Sequence, residues 1–321
     1  MSVVATVLRT APIEAGHDRR VALFRDYAAL CKLRVLSMVI VVWTAGYYLG
    51  TQRLGSFRVH SAFIISLLGI TAVAAGSSAL NQVIERRSDR LMTRTALRPI
   101  AQNRLSPAHA VIAGLILMLG GLLLLLLGSN VLSAGLALAT SVGYLAVYTP
   151  LKRVSQLNII VGSIFGALPP LIGWTAATRK VEWPGLALFA ILVVWQLPHI
   201  AAIGWLYRED YRRAGIRVPA SLSNEQNAAR SSAIWAVASA ILVIPVSLWP
   251  VQLYHAGTLY TAVVFGLGVW YLGLALRFAT ITMDTDWDRG IARARDLLRG
   301  SLIYLPLFLL TVLLSAHSPR G

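Results

Sequence analysis

The chain has 321 residues, of which 57% are hydrophobic and only 13% are charged, and its net charge is +16. Soluble proteins carry roughly 25% charged residues, so this composition excludes an ordinary soluble enzyme and predicts a membrane protein. The single cysteine, Cys31, also excludes an internal disulfide and a thiolate metal cluster.

Nine apolar segments follow one another along the chain. Each approaches the roughly 20 residues that a helix needs to cross a bilayer. Because lipid offers no partner to backbone polar groups and strand-like alternation is missing, these segments are predicted to be helices. They lie near residues 35–51, 62–82, 108–128, 131–149, 158–178, 184–206, 231–250, 257–279 and 300–316. The predicted fold is all-α, a polytopic bundle of about nine transmembrane helices.

The basic residues are distributed unevenly between the two sides that nine spans define. All but five of the 29 lysines and arginines fall in the N-terminal segment or in the loops after spans two, four, six and eight. The five on the other side are Arg53, Arg58, Arg179, Lys180 and Arg320. Because cytoplasmic loops carry the excess of Lys and Arg, the N-terminus is predicted to be cytoplasmic and the C-terminus periplasmic, in the cell's inner membrane. Topology, rather than nucleic-acid binding, explains the net positive charge.

The predicted organisation has three parts. Residues 1–34 form a cytoplasmic N-terminal segment, residues 35–316 a single transmembrane domain, and residues 317–321 a short periplasmic tail. The first part has no apolar core followed by a small-residue cleavage site, so no removable signal peptide is predicted. Residues 1–25 are expected to be disordered.

Three oxygen-bearing side chains lie at the end of the second span. Asn81, Glu85 and Asp89 are four residues apart, so a helix that continues past the apolar stretch places them on one face. Mg²⁺ prefers oxygen ligands and takes one or two carboxylates, while waters and substrate phosphates complete its shell. The spacing therefore predicts a magnesium site that is shared with a diphosphate.

Arginines follow these side chains at the same interval. Arg90, Arg94 and Arg98 repeat every four residues, and guanidinium groups bind phosphate oxygens through two parallel hydrogen bonds. The acids for the metal and the arginines for the anion are expected to lie side by side. Charged residues just beyond a span are also common as solvated anchors, so this stretch alone leaves both interpretations open.

A second polar cluster follows the sixth span, four spans after the first, and therefore opens on the same membrane face. Arg208, Glu209 and Asp210 lie at the cytoplasmic end of that span. The repetition indicates two halves of a bundle around a central cavity that opens to the cytoplasm. His199 lies inside the apolar segment. A histidine at membrane depth is a candidate functional residue, and the alternative is a neutral histidine that is hydrogen-bonded to a neighbouring helix.

A third polar segment follows the fourth span. Pro150 is expected to end that span, because proline cannot continue the helical hydrogen bonding. Lys152 and Arg153 then lie in a cytoplasmic loop, where they add positive charge around the same diphosphate. Glycines and prolines between residues 162 and 173 predict an irregular fifth span, with room for close helix packing or for a ligand.

Together these segments resemble the UbiA-type intramembrane prenyltransferase superfamily, and most closely its protoheme IX farnesyltransferase branch. The resemblance runs in order from about residue 26 to residue 316. Its motifs are Asn81/Glu85/Asp89, Arg94-Thr95-Ala96-Leu97-Arg98-Pro99, Tyr148 to Arg153, Pro198-His199, Tyr207-Arg208-Glu209-Asp210-Tyr211 and Ala214-Gly215-Ile216. The segments Asp26 to Val35, before the first span, and Ser301 to Leu310, in the ninth, also resemble the branch. Glu85 stands where the branch usually has Asp. Ile200 and Ala201 follow the histidine where the branch has aromatic residues, so the acceptor side departs further from the pattern.

The resemblance implies an enzyme that transfers the farnesyl group of farnesyl diphosphate to a vinyl group of haem B, with Mg²⁺ as cofactor. The implied site residues are Asn81, Glu85, Asp89 and Asp210 for the metal, Arg94, Arg98, Lys152 and Arg208 for the diphosphate, and His199 for the haem. The histidine would contact the haem iron or assist the proton and water step. The implied partners are the lipid bilayer, both substrates, and a haem A synthase or a terminal oxidase assembly factor.

Other functions compete with this interpretation. A related prenyltransferase would act on an aromatic or quinone precursor, but the resemblance favours haem because other branches usually carry an acidic residue near Pro198-His199. A secondary transporter would place its decisive residues near mid-membrane on broken helices, whereas these clusters lie at the ends of spans.

Overall fold

The structure is a computed structural model and describes residues 11–54, 60–254, 257–282 and 287–316. Within these ranges the chain forms helices joined by turns, with no strand, and nine helical segments are long and apolar enough to cross a bilayer. The predicted all-α class and the nine spans are confirmed. The α-helices are α1 Ala11–Leu30, α2 Leu33–Arg53, α3 Ser61–Asp89, α4 Pro107–Gly128, α5 Val131–Val142, α6 Thr149–Leu151, α7 Asn158–Gly166, α8 Leu168–Thr178, α9 Trp183–Leu206, α10 Arg208–Arg213, α11 Glu225–Tyr254, α12 Thr258–Ala279 and α13 Trp287–Ser315.

The first helix corrects one prediction. Residues 11–25 belong to α1, so the expected disorder of residues 1–25 is wrong for this part; residues 1–10 and the predicted tail 317–321 lie outside the described residues. Alanine, leucine and arginine, which favour helix, are frequent in α1. The Gln82 side chain donates to the carbonyl oxygens of Ala29 and Leu30, at 2.9 Å each. These bonds tie the end of α1 to α3, where the last carbonyls of a helix lack their regular helical partners.

The fourth span changes its helical winding before Pro150. Proline has no N–H, and its ring would clash with the carbonyl four residues earlier. The preceding turn, Gly143–Tyr148, is a π-helix, in which the Tyr144 carbonyl accepts from the N–H of Thr149. The helix ends at Leu151, one residue beyond the proline that was predicted to end it. The wider turn accommodates the proline and directs the following chain.

The fifth span is irregular, as predicted. It consists of α7 and α8, which meet at Ala167 just before Pro169 and Pro170. Small residues then bring α8 close to α2: a Cβ at Gly173 would overlap the Trp43 carbonyl oxygen, and a Cβ at Gly46 would overlap the carbonyl of Pro170. Such close backbone contact between membrane helices requires residues without bulky side chains.

The helix contacts bring distant parts of the chain together. The ninth span, α13, contacts α9, α12 and also α2, while α9 packs against α11. On the predicted cytoplasmic side, the Arg217 backbone N–H donates to the Lys152 carbonyl at 2.7 Å. Thr93, in the loop after α3, donates to Asp210 on α10. The polar ends of α3, α6 and α9 therefore meet at one end of the bundle.

The α2–α8 contact generates a stability prediction. We expect Gly173→Ala to lower the free energy of unfolding by about 1–3 kcal/mol, because the added methyl group would displace backbone atoms of α2. The matched control is Gly273→Ala on α12, where a Cβ meets no atom within 4 Å. Helix propensity should leave that variant unchanged or stabilise it by up to about 1 kcal/mol. Equal unfolding midpoints of the two variants in detergent would contradict the close packing of α2 and α8.

Candidate active site

The oxygen-bearing face of α3 is formed as expected. The helix continues to Asp89, seven residues beyond the predicted end of the second span, so Asn81, Glu85 and Asp89 lie on successive turns. All three are buried, with exposed fractions of 0%, 9% and 1%. Buried polar groups of this kind require partners, and the partners are provided by other segments.

Asn81 is held by three side chains. Its Oδ1 accepts from Lys32 Nζ at 2.8 Å and from the Tyr144 hydroxyl at 3.0 Å, while its Nδ2 donates to Thr149 Oγ1 at 3.2 Å. Lys32 lies in the turn between α1 and α2 with φ of 53°, a left-handed conformation that is uncommon for a residue with a side chain. Burial and, less strongly, the charge of Arg98 lower the pKa of Lys32 to about 7.

Glu85 forms a buried ion pair with Lys152. The distance between Lys152 Nζ and Glu85 Oε1 is 2.6 Å, and the ammonium also lies 4.3 Å from the centroid of the Tyr148 ring. Burial alone would lower the pKa of Lys152, but Tyr148 and Glu85 together raise it above its ordinary value. The π-turn before Pro150 carries Tyr144 and Tyr148, whose rings stack at 5.6 Å.

Asp89 is paired with Arg98. One guanidinium nitrogen of Arg98 lies 2.8 Å from each carboxylate oxygen of Asp89. The arginines after Asp89 do not lie on α3, because that helix ends at Asp89 and turns follow. Arg90 instead donates to the Ala101 carbonyl and to Asn103, and so stabilises the loop. Arg98 reaches Asp89 by folding back along these turns.

Asp210 joins the second polar cluster to the first. Its carboxylate accepts from Thr93 Oγ1 at 2.9 Å and from the Arg94 backbone N–H at 3.1 Å, and it also pairs with Arg213. Burial would raise the pKa of Asp210, but the hydrogen bonds from Arg94 and Thr93 lower it below its usual value. The Arg94 guanidinium donates to the Tyr211 hydroxyl at 3.2 Å. Residues more than 110 positions apart thus share one site.

Two cavities lie around these groups. A cavity of about 570 Å³ has four basic side chains in its lining, Lys32, Arg34, Arg94 and Arg98. A smaller cavity of about 360 Å³ shares Arg94 with it and is also lined by Arg208 and Asp210, among others. Their basic lining suits an anion with several oxygens.

The two remaining predicted residues, Arg208 and His199, lie at different depths: Arg208 begins α10, and His199 is inside α9. Arg208 is buried; it donates to the Trp205 carbonyl at 2.8 Å and lies over the Trp205 ring. His199 lies within α9, stacks on Trp195, and has its Nδ1 2.7 Å from Ser301 Oγ of α13. Within the described residues, Glu85, Asp89 and Asp210 do not form a group of three acidic, cysteine or histidine ligands that could hold a metal.

Comparisons with known proteins identify the family. Residues 37–294 match the profile of the UbiA prenyltransferase family. The chain belongs to this family. A curated UbiA-family relative, the protoheme IX farnesyltransferase of Koribacter versatilis (strain Ellin345), is 38% identical over 95% of this chain and 97% of its own length. With nine apolar spans in the described residues, this UbiA-family chain is an integral membrane protein.

Solved structures share the fold. A solved structure of digeranylgeranylglyceryl phosphate synthase in membranes has a TM-score of 0.72 at 15% identity. The match covers 91% of this chain and 98% of that one. A UbiA homolog from Archaeoglobus fulgidus bound to DMAPP and Mg²⁺ has a TM-score of 0.61 at 15% identity, covering 91% and 99%. At these identities the likeness shows a UbiA-type fold.

Sequence reasoning missed Lys32 and Tyr144 as parts of the site. A lysine just before the first span is typical of the charge bias of cytoplasmic segments, so its burial against Asn81 had no separate signal in the sequence. Tyr144 lies four residues before Tyr148 and eight before Lys152. This helical spacing indicates that Tyr144 lies on the same face as these two residues of the Tyr148 to Arg153 motif.

The Glu85–Lys152 pair generates a second stability prediction. Lys152→Met should lower the free energy of unfolding by about 3–5 kcal/mol, because it leaves a buried carboxylate without its cation. The double variant Lys152→Met/Glu85→Gln should recover most of that loss. The control is Glu209→Gln, whose exposed ion pair with Arg212 is worth less than about 1 kcal/mol. If the double variant unfolds as easily as Lys152→Met alone in a thermal melt, the two groups are not a buried pair.

Proposed function

We propose that this protein transfers the farnesyl group of farnesyl diphosphate to a vinyl group of haem B and forms haem O. The observation that carries the proposal is the buried polar face of α3, in which Asn81, Glu85 and Asp89 are each matched by a cation from a different segment. Curated relatives at 37–38% identity, from Koribacter versatilis and Solibacter usitatus, are named protoheme IX farnesyltransferase. A farnesyltransferase, as these relatives are named, needs a site that binds a metal and a diphosphate.

The side chains on α3 fit Mg²⁺. They offer only oxygen ligands, and Mg²⁺ needs no more than one or two carboxylates where substrate phosphates complete its shell. We propose Asn81, Glu85, Asp89 and Asp210 as the metal ligands. Within the described residues, Asp210 does not join Glu85 and Asp89 in a group of three. A bound diphosphate would therefore have to connect the face of α3 with Asp210 on α10. When bound, Mg²⁺ supplies positive charge that stabilises the departing diphosphate.

The cations of the site have a second task in this proposal. Lys32 and Arg98 line the larger cavity and can donate to diphosphate oxygens there. Lys152 and Arg98 are freer to do so when a bound metal gives Glu85 and Asp89 another positive partner. Arg94, which borders both cavities, is suited to bind between them. Arg208, at the edge of the smaller cavity, is assigned to the same anion. Their positive charge stabilises the transition state, because negative charge on the diphosphate increases as the bond breaks.

The chemistry consists of one bond exchange and one hydration. The allylic C–O bond of farnesyl diphosphate breaks, and both electrons leave with the diphosphate. The π-electrons of the haem vinyl group form the new C–C bond with the allylic cation. The carbon next to the porphyrin is then positive and takes a water molecule, which loses a proton and leaves a hydroxyl group. Both substrates must be held close together and away from bulk water until the C–C bond forms.

His199 is proposed as the haem contact. It lies seven residues before the end of α9, roughly 10 Å inside the bundle at about 1.5 Å per residue. A porphyrin is a flat apolar body whose iron accepts an imidazole ligand. Leucine, valine and isoleucine side chains of the spans suit both the porphyrin and the isoprenoid tail.

The charge distribution supports the orientation that we propose. The N-terminus and the diphosphate site face the cytoplasm, and the C-terminus faces the periplasm of the inner membrane. The transmembrane domain, residues 35–316, carries the proposed site except for Lys32, which lies just before it. The product is an apolar haem, which suits delivery within the membrane to a haem A synthase or to a terminal oxidase assembly factor.

The test is a product assay with purified protein in lipid nanodiscs. Farnesyl diphosphate, Mg²⁺ and haem B should give a porphyrin with the mass of haem O. Asp89→Asn should lower kcat by about 10²–10³-fold, because it weakens the hold on the Mg²⁺ whose charge stabilises the departing diphosphate. The control is Asp26→Asn, which breaks a more exposed ion pair with Arg104 outside the cavities and should keep wild-type turnover.

Two results would overturn the proposal. One is full turnover by Asp89→Asn at an unchanged thermal unfolding midpoint. The other is transfer of the farnesyl group to 4-hydroxybenzoate in place of haem B, which would support the aromatic-acceptor alternative.

A further inference from the structure

The His199 ring is held by a residue of the ninth span. His199 Nδ1 and Ser301 Oγ lie 2.7 Å apart, although the residues are 102 positions apart in the chain. Ser301 is fully buried, and its Oγ also lies 2.6 Å from the carbonyl oxygen of Leu298, one turn earlier in α13. The serine hydroxyl therefore lies between the imidazole and the Leu298 carbonyl oxygen, and the Tyr271 side chain also contacts it.

These two distances determine where the protons are. A carbonyl oxygen can only accept, so the contact between Ser301 Oγ and the Leu298 carbonyl requires the serine proton to lie between them. A serine has no second proton to give to His199. The short contact between Nδ1 and Oγ is a hydrogen bond only if the imidazole donates, so Nδ1 carries the proton. A neutral imidazole then has its lone pair on Nε2.

The orientation of the ring is fixed as well. Trp195 stacks on His199 with ring centroids 5.4 Å apart and an interplanar angle of 24°. The Trp195 Nε1–H donates to the backbone carbonyl of Ser301 at 2.9 Å. Ser301 thus holds both rings, one through its hydroxyl and one through its carbonyl. Among the described residues, only Nδ1 of the His199 ring has a hydrogen-bond partner.

We propose that Ser301 is a positioning residue that holds His199 in the Nδ1–H tautomer and presents the Nε2 lone pair as the ligand of haem iron. The inference rests on the proposed haem acceptor and identifies the atom and the supporting residue that the acceptor side requires. Histidine ligands of metals commonly donate their other ring N–H to an oxygen, which fixes the tautomer and raises the basicity of the ligand. Loss of such a partner typically weakens binding by about 10–100-fold.

The first experiment reads the tautomer directly. The full-length protein is labelled with ¹⁵N-histidine, and the two ring-nitrogen shifts of His199 are measured without added haem. The chain has six histidines, so His199→Gln identifies the signals by their loss. We expect protonated Nδ1 and unprotonated Nε2. A protonated Nε2 with an unprotonated Nδ1 would overturn the inference, whatever the acceptor is.

The second experiment follows haem B itself. Titration of wild-type protein should give a histidine-ligated haem spectrum and, in the ferrous state, an Fe–His stretching band in the resonance Raman spectrum. In Ser301→Ala the band should move to lower frequency and the Kd for haem should rise by about tenfold or more. Ser301→Thr keeps the hydroxyl and should restore the band. An unchanged band and Kd in Ser301→Ala would also overturn the inference.

Controls separate this inference from a structural defect. Ser239→Ala removes another buried serine hydroxyl that bonds to its own helix, on α11, and should leave haem binding unchanged. Binding of farnesyl diphosphate with Mg²⁺ should be unaffected in Ser301→Ala. If His199→Gln binds haem like the wild type, the proposed role of His199 fails. If His199→Gln loses the band and Ser301→Ala keeps it unchanged, only the role of Ser301 fails.

Discussion

Carboxylates inside a membrane protein are costly unless each has an opposite charge within reach, and the partners must then be held firmly in place. At the C-terminal end of α3, Glu85 and Asp89 meet this requirement with Lys152 and Arg98, and Asn81 is held by Lys32. The three cations come from three segments: the turn before α2, the loop after α3 and the chain after α6. Charge neutralisation in this one place therefore fixes how three separate parts of the bundle meet.

The same pairs prepare the site for its chemistry. In the proposed mechanism, each cation already lies beside one of the oxygen atoms that would bind the metal. When a metal-bound diphosphate enters, the cations would pair with the diphosphate and the oxygen atoms with the metal, without a large rearrangement. Arg94 extends the arrangement to the second half of the bundle, because its backbone N–H binds Asp210 while its guanidinium contacts Tyr211. On the acceptor side, His199 is fixed by packing and hydrogen bonds instead of charge. In the proposed mechanism the diphosphate side is thus held by ion pairs and the acceptor side by packing and hydrogen bonds.

The sequence was sufficient to predict the structural features that depend on local hydropathy, helical period and helix-breaking residues. The nine spans, the shared face of Asn81, Glu85 and Asp89, and the irregular fifth span follow from such local patterns. Contacts that depend on how helices meet were not predictable. Lys32 and Ser301 lie in segments that resemble the family branch, but only the packing of the turn before α2 and of α13 against other helices reveals their partners. The arginines after Asp89 lie on turns because α3 ends at Asp89, and no cap residue in the sequence indicated that end.

The central claim is that diphosphate and the acidic face compete for the same cations. Calorimetric titration of the purified protein with inorganic diphosphate, with and without Mg²⁺, tests it directly. Without the metal, diphosphate must take cations from Glu85 and Asp89 and leave buried carboxylates unpaired. We expect binding about a hundredfold tighter with Mg²⁺, about 2.8 kcal/mol, and a loss of this difference in the double variant Glu85→Gln/Asp89→Asn. Equal affinities with and without Mg²⁺ in the wild-type protein would contradict it.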